Sequence, residues 1–339
     1  MALALIDPMT RERLSLASAG LVDASGAIRY PLANGAFRLA AGEGYSANFG
    51  IQWNLFSRTQ IDKFNNSDLS FVRLKAETGW RFDEMNGQNV LEVGSGAGRF
   101  TQILLDFTRA EIYSVDQSDA VSANFSNNGP NDRLKLFQGS IYELPFDPGQ
   151  FDKVLCLGVL QHTPDVRLSI KCLAEMLKPG GELVVDFYPI RGWYTKVSAK
   201  YILRPFARRL PRDKLLYLIR QNVDWMIRVY KFNEAVGLRI LNRFVPIPDF
   251  GIYSLPQTIS ADELRELCIL DTFDMFSPEY DQPQRLDTVK RYFIEFGLTD
   301  VFADFVSYRS SISAVVRGSA PQPSVSGRPP GSAGVAVAV

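Results

Sequence analysis

The 339-residue chain is poor in the side chains from which several common sites are built. Its three cysteines, Cys156, Cys172 and Cys268, are too few and too scattered for a disulfide framework, and no two stand as CxxC. That spacing excludes a thiolate zinc site. The single histidine, His162, excludes sites that need several imidazoles, and no metal is expected. Charge of one sign is also lacking: 37 Lys and Arg balance 37 Asp and Glu. The molecule as a whole therefore has no pull toward nucleic acid or anionic membrane. No run approaches the roughly 18 apolar residues that a membrane span requires. Residues 1–6 are apolar but have no basic flank and run into Asp7-Pro8, unlike a secretory signal. With 46% hydrophobic and 22% charged residues, the composition is that of a globular chain. A soluble cytoplasmic protein is expected.

The organisation changes along the chain. Residues 28–30 and 37–39 read as short strands on either side of Asn34-Gly35, a strong tight-turn pair. Residues 1–45 form a small β unit on this reading. Trp53, Phe56, Gln60 and Phe64 have helical spacing, and a further helix is expected to start near Ser67-Asp68. From Asn89 short apolar runs alternate with helical stretches. The runs are 90–93, 112–115, 134–137, 151–157 and 183–187; helices over 101–107 and 166–177 lie between them. This alternation predicts a parallel sheet covered on both faces. After Tyr188 the rhythm breaks, and residues 191–231 hold eleven Lys and Arg against two Asp, a local charge of +9. Helices to Leu270 and over 285–296 follow. Strands over 301–308 and 311–316, separated only by Arg309-Ser310, predict an antiparallel hairpin. Residues 318–339 are rich in Gly, Pro, Ser, Ala and Val and predict a disordered tail.

The most informative stretch is Val90-Leu91-Glu92-Val93-Gly94-Ser95-Gly96-Ala97-Gly98-Arg99-Phe100. A strand ends, glycines turn the chain, and a helix begins. A dinucleotide fold wants GxGxxG, with a pyrophosphate on the helix N-terminus. Here the third glycine comes one position early and Arg99 fills the dinucleotide position. Glu92 precedes the loop by two residues. S-adenosylmethionine has no pyrophosphate but has an amino-acid end and a cationic sulfonium, which suit close backbone atoms and a nearby carboxylate. Asp116 ends the second strand, twenty positions beyond Gly96, where a carboxylate can accept from both ribose hydroxyls. Its other reading is a cap on the helix that follows.

On these residues the chain resembles the class I S-adenosylmethionine-dependent methyltransferases, especially the group that includes ubiquinone- and menaquinone-type enzymes. The matching segments are 90–101, 115–118, 137–146, 151–165 and 177–188. The resemblance implies an α/β fold: a Rossmann-like seven-stranded sheet with an antiparallel last strand. It implies S-adenosylmethionine as cofactor, with Gly94, Ser95, Gly96 and Gly98 on the methionine part and Glu92 near its amino group. Asp116 would bind the ribose and Gln117 would lie by the adenine. The family often has an acidic residue near the adenine amino group; this chain has Gly139-Ser140-Ile141, in which Ser140 is the weaker polar contact. Leu157 and Gly158 would border the methyl group. Asp7 to Thr10 and Tyr30 to Gly35 resemble a zinc-ribbon-like module that has lost its cysteines, so no zinc is expected there.

Expected domains are the β unit 1–45, the cofactor-binding core with its helical cover 46–188, a basic helical insertion 189–259, the end of the core 260–317 and the tail 318–339. Methyl transfer is an in-line displacement, so much of the rate can come from positioning the acceptor. His162 follows the fourth strand at the carboxyl edge and is the candidate base; its other reading is a histidine that only fixes the loop. The 271–281 segment reads chiefly as a solvated turn-rich loop, with an acceptor-pocket wall as the alternative. The insertion over 191–231 reads as a helical lid with a solvated basic face, or as a peripheral membrane or lipid-linked substrate contact. The expected function is methyl transfer to a small-molecule acceptor, with lipid-linked and sugar-containing metabolites as candidates and no specific nucleic acid. The rivals are a non-catalytic S-adenosylmethionine-binding scaffold and an NAD(P)-dependent oxidoreductase.

Overall fold

The computed structural model describes residues 3–40, 42, 44–65, 67–248, 260–309 and 311–322. The chain opens with five short strands, β1 (Leu5–Ile6), β2 (Arg13–Ala17), β3 (Gly20–Val22), β4 (Ile28–Ala33) and β5 (Ala36–Arg38). Asn34 and Gly35 join β4 to β5 with φ of 49° and 74°, the left-handed pair that matches the twist of a hairpin. No thiolates hold this unit. Leu5, Leu14 and Leu21 are buried in one cluster with Phe37, Phe137 and Phe146. The buried Asp7 carboxylate accepts from the amides of Met9 (2.9 Å) and Thr10 (3.1 Å) and so fixes the first turn.

Three helices follow, α1 (Ala47–Leu55), α2 (Asp62–Asn65) and α3 (Leu69–Thr78). The single helical face expected through Trp53, Phe56, Gln60 and Phe64 is broken after Leu55. Phe56 is drawn into a helical layer farther along the chain, whereas Ile61 packs on Ala97 and Ala123. One straight helix does not serve both surfaces. Asp62 then caps α3, accepting from the amides of Ser70 and Phe71, both at 3.0 Å.

The alternating part comprises β6 (Asn89–Val93), α4 (Arg99–Phe107), β7 (Glu111–Asp116), α5 (Ala120–Asn128), β8 (Leu134–Gln138), β9 (Phe151–Cys156), α6 (Val166–Glu175) and β10 (Leu177–Phe187). Next come α7 (Ala199–Ala207), α8 (Arg212–Ala235), α9 (Ala261–Phe276), α10 (Leu286–Glu295), β11 (Thr299–Tyr308) and β12 (Ser311–Ser319). The central strand order is β8-β7-β6-β9-β10-β12-β11. The first five are parallel, and β12 runs antiparallel to both β10 and β11. Those seven strands match the expected core, but the sheet is not limited to them. β5 adds in parallel to β8, in register from Ala36 opposite Leu136, and the sheet has 12 strands. An edge strand presents unpaired backbone groups, and β5 satisfies those of β8.

The helical layer differs from expectation at α9. Residues 271–276 are helical, not a solvated loop. A capping box of Ser260 and Glu263 starts α9, and Leu264, Cys268, Ile269, Phe273 and Phe276 keep its apolar face buried to the end. That face packs on Leu215, Ile219, Val223 and Tyr230 of α8. α9 therefore joins α7 and α8 in the layer expected over 189–259, of which residues 249–259 lie outside the described residues. β12 runs two residues into the expected tail; residues 323–339 lie outside the described residues.

Candidate active site

The carboxyl ends of β6, β7, β9 and β10 open into one cleft of about 1400 Å³, roofed by α1, α8 and α9. This is where open α/β sheets bind ligands. The loop after β6 shows why its glycines are glycines. Gly94 has φ of +80°, and a Cβ there would lie 2.2 Å from a methyl of Val159. A Cβ on Gly96 would meet the Trp53 indole of the cover helix at 3.1 Å. The amides of this loop turn inward: Gly94 and Ser95 donate to the Val115 carbonyl (2.7 and 3.3 Å), Gly96 to Asp116 Oδ2 (2.8 Å) and Gly98 to the Ser95 carbonyl (2.9 Å). A loop built for a pyrophosphate aims such amides at the ligand.

Nine expected residues line the cleft: Gly94, Ser95, Gly96, Asp116, Gln117, Ile141, Leu157, Gly158 and His162. Three do not. Glu92 points beneath the loop, where its Oε2 accepts from Thr101 (2.5 Å) and Ser114 (2.7 Å) hydroxyls; burial pushes it up to about 7. Gly98 packs against α5, where a Cβ would lie 2.2 Å from Asn124 Oδ1. Ser140 turns back to accept from the Tyr142 amide at 3.2 Å. Asp116 also has a structural task. Besides Gly96, it accepts from the amide (2.9 Å) and hydroxyl (2.7 Å) of Ser118, and burial raises its pKa. Ser118 takes both lone pairs of Oδ1, and Oδ2, with one bond from Gly96, keeps a lone pair for a ligand.

The polar atoms left over test whether S-adenosylmethionine fits. Among the described residues, Ser95 Oγ, Gln117 Oε1, Gln52 Oε1, Gln161 Oε1 and His162 Nε2 are buried without a protein partner, and all five residues line this cleft. Buried polar atoms of this kind are expected to be satisfied by a ligand or water. A Cβ on Gly158, at the end of β9, would meet nothing within 4 Å, so space is left beside the strand ends. The residues present fit the group: Ser95 and Gln117 could meet polar ends of the ligand, and Ile141 and Leu157 could give it an apolar wall.

The far side of the cleft is acidic and mostly paired. Asp186, at the end of β10, accepts from the Gly158 amide and from Arg73 Nη2 at 2.5 Å. Asp274 accepts from Gln52 (3.2 Å) and from the Tyr188 hydroxyl (3.3 Å). Asp271 accepts from Gln60 at 3.1 Å and is pushed up to about 7, first by burial and then by Asp274. Gln60 in turn accepts from Arg99 at 2.8 Å. Asp186, Tyr188 and Lys200 were not singled out from the sequence. The carboxyl-edge rule that flagged His162 would have flagged Asp186 and Tyr188, since they end the fifth parallel strand.

His162 is buried between Phe49 and Tyr188, with ring centroids 5.2 and 5.6 Å away. Its Nδ1 lies 3.0 Å from the Tyr280 carbonyl. A carbonyl only accepts, so Nδ1 carries the proton and the lone pair is on Nε2. Asp274 Oδ2 lies 3.9 Å from Nε2, too far for a direct hydrogen bond. Burial lowers the His162 pKa despite Asp274.

A fold with this strand order, this inward-turned loop and this cleft belongs to the class of Rossmann-like cofactor-binding enzymes. Residues 91–185 match a methyltransferase-domain family. A ubiquinone biosynthesis O-methyltransferase of Marinobacter nauticus is 33% identical over 125 residues, 34% of this chain and 52% of that protein. The protein of the same name from Coxiella burnetii is 32% identical over 165 residues, 47% of this chain and 66% of that one. A tRNA U34 carboxymethyltransferase of Nautilia profundicola is 31% identical over 110 residues, 32% and 37% of the two chains. The chain spans 27% to 66% of the length of the curated relatives it matches. Residues 91–185 thus form a methyltransferase domain of the class I S-adenosylmethionine-dependent kind, and S-adenosylmethionine is the cofactor of that domain.

Proposed function

We propose that the chain methylates a small-molecule acceptor whose nucleophile carries a proton, a hydroxyl fitting best. The observation that carries this reading is the free Nε2 of His162, held by the Tyr280 carbonyl in the tautomer that can take a proton. The bound cofactor supplies an activated methyl group. Ser95, Gln117 and Asp116 would hold it, and Ile141 and Leu157 would exclude water. His162 removes the acceptor proton at Nε2, and Asp274, 3.9 Å away, stabilises the imidazolium that results. Lipid-linked and sugar-containing metabolites both stay within this reading.

A polyanionic acceptor such as tRNA suits the cleft poorly. Its lining holds eight Asp and Glu against six Lys and Arg, which repels phosphate. The inward-turned amides argue in the same way against a dinucleotide. The test has two arms. Calorimetric titration with S-adenosylmethionine, S-adenosylhomocysteine and NAD is expected to show binding of the first two only, weakened in Asp116→Asn. Labelled methyl should pass from the cofactor to a metabolite in a cell extract, and His162→Gln should cut this by about a hundredfold or more while leaving cofactor binding intact. Binding of NAD alone, or unchanged transfer by His162→Gln, would refute the reading.

A further inference from the structure

Helix α7 is built inside out. Lys200 turns inward, with Nζ 2.6 Å from Asp281 Oδ1 and 4.2 Å from the centre of the Tyr188 ring. Arg204 is only 7% exposed and donates to the Pro278 carbonyl at 2.5 Å. The outward face of the same helix carries Ile202, Leu203 and Phe206, with Ile202 54% and Phe206 70% exposed. The apolar surface continues beyond the helix. Trp193, 87% exposed, stands just before it. Arg243 donates to the carbonyls of Tyr194 and Val197, which brings the exposed Ile240 and Phe244 alongside. A face of this kind, with charges inside and large apolar groups outside, marks an interaction surface.

The rim of the patch identifies the partner. Lys196, Arg208, Arg209 and Arg212 are exposed, and none has a carboxylate within 4.0 Å among the described residues. They belong to the segment of charge +9 in a chain whose net charge is zero. We propose that this face docks on an anionic lipid bilayer, with Trp193, Ile202 and Phe206 entering the headgroup layer and the basic rim meeting anionic headgroups. A second copy of the chain is the poorer occupant, since a two-fold contact would set two basic rims against each other. Lys200 and Tyr201 on the inner side of α7 line the cleft, so the docked face is the outer side of the cleft wall. The docking itself is independent of the proposed methyl transfer. What rests on that reading is the consequence that an acceptor carried in the bilayer would lie next to the site.

The full chain should float with vesicles of phosphatidylcholine mixed with phosphatidylglycerol, and much less with phosphatidylcholine alone. Phe206→Glu should weaken flotation by at least about tenfold. Arg208→Ala with Arg209→Ala should weaken it by about thirtyfold on the anionic vesicles, an effect that added salt erases. Both variants should keep wild-type melting and wild-type calorimetric binding of S-adenosylhomocysteine, which separates loss of docking from loss of the fold or the cofactor site. No flotation on anionic vesicles, or flotation that Phe206→Glu leaves unchanged, would overturn the proposal. So would a concentration-dependent dimer that Phe206→Glu abolishes in the absence of vesicle binding.

Discussion

Replacing Gly94 by alanine tests the reading of the glycine loop without knowledge of the acceptor. Two costs can be worked from the structure. The first is conformational: φ is +80°, and a non-glycine residue in the left-handed region costs roughly 1–2 kcal/mol. The second is steric. The new methyl would lie 2.2 Å from Val159 Cγ2 and 2.9 Å from Cγ1, where ordinary contact is about 3.5–4 Å. Val159 is β-branched and stiff, so relief must come from backbone shifts, which cost about 1–3 kcal/mol. Gly94→Ala is thus expected to destabilise the protein by about 3 kcal/mol, measured by urea denaturation. Removing the obstructing methyls with Val159→Ala should restore about half of that loss, because only the steric part is relieved. The remaining contact, 3.1 Å to Val159 Cβ, needs a shift of only a few tenths of an ångström. The double variant should therefore fold with the loop nearly in place and regain S-adenosylhomocysteine binding by calorimetry. Gly94→Ala with wild-type stability, or a double variant no more stable than Gly94→Ala alone, would refute the argument that Val159 and the positive φ together dictate this glycine.

Two further predictions concern buried titratable groups. His162 is the chain's single histidine, so its imidazole signals can be followed by NMR without assignment. They should titrate below the usual 6.5, because burial disfavours the charged form. The unfolded chain then binds the extra proton first, so stability should fall as pH drops below about 6.5, and His162→Gln should flatten that slope; an imidazole that titrates above 6.5 would contradict the burial argument. Glu92 is raised from 4.5 to about 7 by burial, so its stabilising effect is complete below 4.5 and is lost as pH rises through 7. Glu92→Gln keeps an acceptor for Thr101 and Ser114 and should add about 3 kcal/mol at about pH 8, with no gain below 4.5. Equal denaturation midpoints for the two proteins at both pH values would refute the assignment.

What could be read from the sequence, and what could not, follows from the range of the forces involved. The strands from β6 to β9 are short apolar runs bounded by glycine and polar residues, and local pattern alone places them within a residue or two; β10 ends where expected but begins six residues early, at Leu177, because Leu177 pairs with Phe151 of β9 ahead of the glycine turn. The left-handed glycines and the Asn34-Gly35 turn are likewise local demands of the backbone. The failures lie where a distant surface decides. Phe56 has helical spacing with Trp53, yet the α8–α9 layer captures it and the helix breaks. Asp271 and Asp274 look like loop residues, because two aspartates near Pro278 suggest a turn. They stay helical because Phe273 and Phe276 are buried against α8 from the same turns. The same holds at the site. Glu92 stands where a carboxylate could meet the cofactor, but Thr101 and Ser114, from α4 and β7, hold it under the loop. Asp116 was read as a ligand or a cap, and its bonds to Gly96 and Ser118 make it a brace of both loops. His162 shows the limit most clearly. Its position after β9 marks it as a candidate, but its tautomer is set by the Tyr280 carbonyl, 118 residues away in sequence. Position in a motif can nominate a base; only the acceptor on its other nitrogen decides whether the lone pair faces the cleft.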